Sequence, residues 1–274
     1  LSPFDDEWSW EGKNPMKEVA LARLRQLAAH EVGHTIGLAH NFAASTQNRA
    51  SVMDYPHPKI NLVEGQVDLS EAYDDKIGLW DIQTIKYGYQ LPNAGETEEE
   101  LLESIIRKSA LEDFKFITDS DARPKSGAHS QAHLWDNSNS PVDELNHLSE
   151  IRSIALSKIG ENSILGGIPY SELEKVWTPI YMMHRYQVEA VSKAIGGYEY
   201  NYGVKGSGSK LQFESVPEDE QWEAIDALIS TLSEKFLNPT DVSSLIPPAV
   251  PGYGSTRESI RGNMGLVFDP DQAA

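Results

Sequence analysis

The stretch HEVGHTIGLAH, from His30 to His40, constrains this chain more than any other. His30 and His34 are four residues apart, a spacing that puts both side chains on one face of a helix, one turn from each other. Gly37 stands where such a helix has to stop, because glycine accepts the left-handed conformation that turns a chain off a helix end. After that bend His40 can return to the same point in space. Upstream, Asn14-Pro15 has the cap and first-turn chemistry of a helix start. Leu21, Leu24, Leu27 and Ala28 recur at helical spacing, so the sequence predicts a helix from about Pro15 to Ile36.

Three neutral imidazoles around one open position make the catalytic form of a zinc site, whereas a structural site is closed by four protein ligands. His30, His34 and His40 are the candidate ligands. Glu31, rotated about 100° around the helix axis from His30, is placed to take a proton from water at the open position without ligating. The chain has no cysteine, so any metal is held by nitrogen and oxygen, and a thiol nucleophile and a disulfide frame are excluded. A net charge of −19 spread along 274 residues leaves no basic stripe to meet phosphates, which argues against a nucleic-acid partner. No apolar run approaches a membrane span.

Downstream of the zinc motif come SVMDYP, Ser51 to Pro56, and LWDIQTIKYGY, Leu79 to Tyr89. Together with HExxHxxGxxH, these resemble the metzincin clan of zinc metalloproteases. The resemblance implies that Met53 forms an apolar floor beneath the metal and that Tyr55 approaches the zinc and then the transition state. Asp81, Ile82, Ile85, Tyr87 and Gly88 match the helix that closes the lower subdomain of that clan. The closest flavour is that of large secreted or envelope-associated bacterial proteases. A secreted, periplasmic or cell-envelope location is therefore expected, with Zn2+ as cofactor and a peptide or protein as substrate.

The motifs cover about residues 15–90, read as the active-site helix, Met-turn and closing helix of a lower subdomain (1–90), with a helical extension over 91–274. The segment LSPFDDEWSWEGKNP is too short to supply the sheet that precedes the active-site helix in metzincins. An upstream domain of the same polypeptide is expected to carry that sheet, and this chain the floor and lower wall of the groove. Mainly α structure is expected, with further helices at 75–88, 97–115, 143–160, 170–195 and 217–236, and polar loops at 118–142, 201–210 and 238–256.

Other candidates are weaker. His129 and His133 are spaced HxxxH but lie in KSGAHSQAH, read as a solvated loop. The segment from Asp136 begins like a calcium loop, but has Pro141 where glycine is needed and His147 in place of the bidentate glutamate. Asp119 and Asp121 suit a turn that needs no ion, His57 a surface turn, and His184 an interface within an amphipathic helix. Two rival readings stand beside the protease: a helical binding or scaffolding domain with an inactive site, and a zinc hydrolase acting on another bond.

Overall fold

The computed structural model describes residues 15–124, 126–205, 210–238 and 241–247. Helix α1 spans Pro15–Thr35; Asn14, its expected cap, lies outside the described residues, as does most of the loop expected at 238–256. A 3-10 helix, Phe42–Gln47, follows. Strands β1 (Asn61–Val63) and β2 (Gln66–Asp68) make a tight antiparallel hairpin. Then come α2 (Leu79–Tyr89), α3 (Glu98–Leu111) and the short α4 (Asp119–Ala122). Helices α5 (Pro141–Ser157), α6 (Leu173–Tyr181) and α7 (Arg185–Ser192) precede a second hairpin, β3 (Tyr198–Tyr200) with β4 (Phe213–Ser215). Helices α8 (Glu218–Ser230) and α9 (Glu234–Leu237) follow, and a 3-10 helix, Asp241–Leu245, comes last among the described residues. The fold is mainly α, and its sheets among the described residues are these two hairpins.

Local chemistry explains most boundaries. Thr97 and Glu100 form a reciprocal capping box that starts α3, and Ser140 with Pro141 starts α5. Helix α2 begins at Leu79, later than expected, because the Asp81 carboxylate accepts the Gly78 N–H at 2.7 Å and caps the first turn there. Helix α3 stops at Leu111, short of the expected 115, where Asp113 turns to φ +52°. Residues 114–117 then run alongside Asn41 and Phe42.

The single helix expected over 170–195 is broken. Pro179 lies inside α6 and removes one ladder donor, and α6 ends at Tyr181, whose carbonyl accepts a hydrogen bond from Arg152 Nε at 2.8 Å. The helix expected over 217–236 breaks after Ser230, and Ser233 caps the short α9. Within the expected 118–142 loop lies α4.

Four apolar clusters hold these elements. One, around Leu38, Ala44, Val52, Met53 and Trp80, lies under α1. A second, Phe42, Ala43, Ile117, Ala122 and Ala132, joins the 3-10 helix to α4 and the segment behind it. The remaining two pack α5 against α6 and against α7 and α8.

Candidate metal centre

Helix α1 delivers His30 and His34 to one face, and Gly37, at φ +90°, turns the chain so that Leu38 and His40 come back toward that face. Each ring is held by its Nδ1. His30 Nδ1 lies 2.7 Å from the Val52 carbonyl, His34 Nδ1 lies 3.0 Å from the Leu38 carbonyl, and His40 Nδ1 lies 2.8 Å from Asp119 Oδ2. All three partners are acceptors, so each Nδ1 carries the proton and each Nε2 presents a lone pair.

The Nε2 atoms converge: His34 Nε2 is 3.1 Å from that of His30 and 3.1 Å from that of His40. Three bare lone pairs at that spacing repel one another unless a cation lies between them. Tetrahedral ligands about 2.0–2.1 Å from zinc stand about 3.3 Å apart, so the donor set fits the ion. These are the residues that can hold a metal, and no other group of three or more metal-ligating side chains occurs among the described residues. Burial, the largest influence, lowers the His30 pKa, partly offset by its bond to Val52; this favours the neutral ring that a ligand needs.

Behind the ligands, Met53 is fully buried and presses on α1 at Gly33. A Cβ on Gly33 would stand 2.3 Å from Met53 Sδ, so glycine between the two histidine turns is a packing requirement. The turn bearing Met53 is tied to α2: Asp81 Oδ1 accepts from Ser51 Oγ at 2.6 Å, and Oδ2 accepts from Val52 N at 2.8 Å. Burial pushes the Asp81 carboxyl above its ordinary range, against the pull of the bonds from Ser51, Val52 and Gly78. The Tyr55 ring packs 4.7 Å from His30 and 4.9 Å from His40, centroid to centroid. Glu31 is exposed on the helix beside His30.

Sequence reasoning missed Asp119 as a partner of the site. It lies 79 residues from His40, and no local spacing links them. The structure makes the link through Asn41, whose side chain donates to the Lys115 carbonyl at 2.9 Å and accepts from Ile117 N at 3.3 Å. Phe42 N donates to Ile117 O at 2.8 Å. Desolvation by itself would raise the Asp119 pKa, but hydrogen bonds from Arg123 and His40 leave it lowered.

The other histidines do not join the centre. His129 and His133 are buried, not solvated, because residues 129–133 run under β3 and α7. Both ring nitrogens of His129 are engaged, Nε2 with Tyr200 O at 3.0 Å and Nδ1 with Gln131 N at 3.2 Å. His57 leaves its expected surface turn to pack among Trp135 and Tyr186. His184 precedes α7 and stacks edge-on against Phe236. Burial pushes all four of these rings down to about 4. Asp136 is buried and takes hydrogen bonds from Asn137 N, Ser138 N and Gln187 Nε2. Asp121 is held by Tyr200 and Tyr202.

A family model described as Met-zincin matches residues 12–268, well beyond the 15–90 stretch that carries the motifs. No curated protein and no solved structure matches the chain.

Proposed function

Since the chain belongs to the Met-zincin family of zinc metalloproteases, we propose that it is a zinc-dependent endopeptidase, with His30, His34 and His40 as ligands and Glu31 as general base. The observation that carries the reading is the convergence of three Nε2 lone pairs, each fixed by an acceptor behind its Nδ1. When bound, zinc supplies a Lewis acid that acidifies water and polarises a carbonyl. The Glu31 carboxylate, exposed beside His30, accepts the proton of the attacking water and returns it to the leaving amine. Tyr55, whose ring lies against two of the ligands, offers its hydroxyl to the oxygen on which negative charge develops. Met53 and Asp81 hold the turn whose Val52 carbonyl sets the tautomer of His30.

Leu24 is 61% and Val32 58% exposed on the outer face of α1. That uncovered apolar face, turned away from His30 and His34, supports a cover by another part of the polypeptide, and the family resemblance supports an upstream segment that carries the other wall of the substrate groove. The family resemblance supports a secreted, periplasmic or cell-envelope setting. Among the described residues no helix is long and apolar enough to cross a membrane.

The test pairs elemental analysis of protein purified without added metal with cleavage of a peptide substrate by wild type and Glu31→Gln, both in the full-length polypeptide. Glu31→Gln should keep its zinc and lose about 10²–10⁴-fold in turnover. Full zinc with undiminished turnover would rule out the assigned base.

A further inference from the structure

We propose that Asp119 is a positioning residue of the metal centre, so that the chain beyond residue 90 completes the site through His40. The inference rests on the reading of His30, His34 and His40 as metal ligands. The carbonyls facing His30 and His34 belong to backbone near those residues or to the Met53 turn. His40 differs, because its Nδ1 faces a carboxylate from a distant helix at 2.8 Å. A carboxylate behind a ligating imidazole fixes the tautomer and ring plane and makes the Nε2 lone pair a stronger donor.

The surroundings of Asp119 look built for that purpose. Its other oxygen, Oδ1, accepts from Arg123 Nε, so the carboxylate is gripped from both sides. Helix α4 is anchored from three directions. Asp121 takes the hydroxyls of Tyr200 and Tyr202. The Ala122 carbonyl takes the buried Lys193 Nζ, which also reaches Ala132 O at 2.9 Å. Asn41, next to His40 in sequence, clamps residues 115–117 just ahead of α4. A four-residue helix would not hold one side chain in place unaided. These anchors, from Lys193 at the end of α7 and from β3 and the residues just after it, supply the rigidity, and they tie the third ligand to the C-terminal half of the fold.

The experiment measures zinc dissociation constants by chelator competition, and visible spectra of cobalt-substituted protein, for wild type, Asp119→Asn, Asp119→Glu, His40→Ala and the His40→Ala/Asp119→Asn double variant. Asp119→Asn should weaken zinc by about 10–100-fold and shift the cobalt spectrum, with Asp119→Glu recovering part of the loss. In the His40→Ala background, Asp119→Asn should have little further effect, because its route to the metal is gone. Zinc affinity within threefold of wild type in Asp119→Asn, or an equal loss in both backgrounds, would overturn the proposal. Asp119 is half-exposed, so Asp119→Asn should fold, which circular dichroism of the metal-free protein checks. Failure of the underlying ligand reading is separately visible, as zinc binding that survives His30→Ala and His34→Ala.

Discussion

Replacing Asp81 by alanine should unfasten the turn behind the metal centre. Asp81 is buried, and its two oxygens accept three hydrogen bonds, from Ser51 Oγ at 2.6 Å, Val52 N at 2.8 Å and Gly78 N at 2.7 Å. Alanine leaves Val52 and Gly78 with N–H groups that have lost their acceptor, while the Ser51 hydroxyl can rotate to another partner. A buried donor without an acceptor costs about 1–3 kcal/mol, in full for the buried Val52 N–H and in part for Gly78, whose half-buried N–H water can reach, so the two together cost about 1–4 kcal/mol. At a central value of about 2.5 kcal/mol, the melting temperature should fall by about 5 °C. Asp81→Asn keeps an amide oxygen for the two N–H groups and turns its NH2 toward Ser51 Oγ, so it should cost well under half as much. The assay is thermal unfolding of metal-free wild type, Asp81→Ala and Asp81→Asn in chelator, followed by circular dichroism. Zinc affinity should fall in the same order, because the His30 tautomer depends on the Val52 carbonyl. A change below about 1 kcal/mol in Asp81→Ala, or equal damage from both substitutions, would refute the account of Asp81 as a double acceptor.

Two further outcomes follow from packing and burial. Gly33→Ala gains about 1 kcal/mol of helix propensity but drives a Cβ to 2.3 Å from Met53 Sδ, an overpacking that costs about 1–3 kcal/mol; urea unfolding should show net destabilisation. The cost should shrink in Gly33→Ala/Met53→Ala, and simple additivity would refute the contact. His57, His129, His133 and His184 titrate at about 4 when folded and at about 6.5 when unfolded. Between those values the unfolded chain binds more protons, so their contribution to stability rises with pH and is lost on acidification. Asp54 and Asp136, raised far by burial, the latter to about 7, and Asp81, Glu144 and Glu220, raised less, act in the opposite sense, but the strongly shifted groups are four rings against two carboxyls. The urea midpoint should therefore be lower at about pH 5 than at about pH 7, and an equal or higher midpoint at the lower pH would contradict neutral burial of these rings.

The sequence by itself determined what depends on neighbours along the chain. The i, i+4 spacing of His30 and His34, the left-handed turn at Gly37, the capping box at Thr97 and the predominance of helix are consequences of backbone geometry within a turn or two. Motif resemblance extended that reach to Met53, Tyr55 and Asp81. Only the tertiary structure decided which carboxylate stands behind His40, because Asp119 arrives through the docking of residues 114–117 on Asn41 and Phe42. It also decided that His129 and His133 are buried, and that the 170–195 stretch breaks where Arg152 can take the Tyr181 carbonyl. Those outcomes rest on contacts between segments far apart in sequence. Local pattern holds no record of them, since the same polar residues serve equally well in a solvated loop until another element covers them.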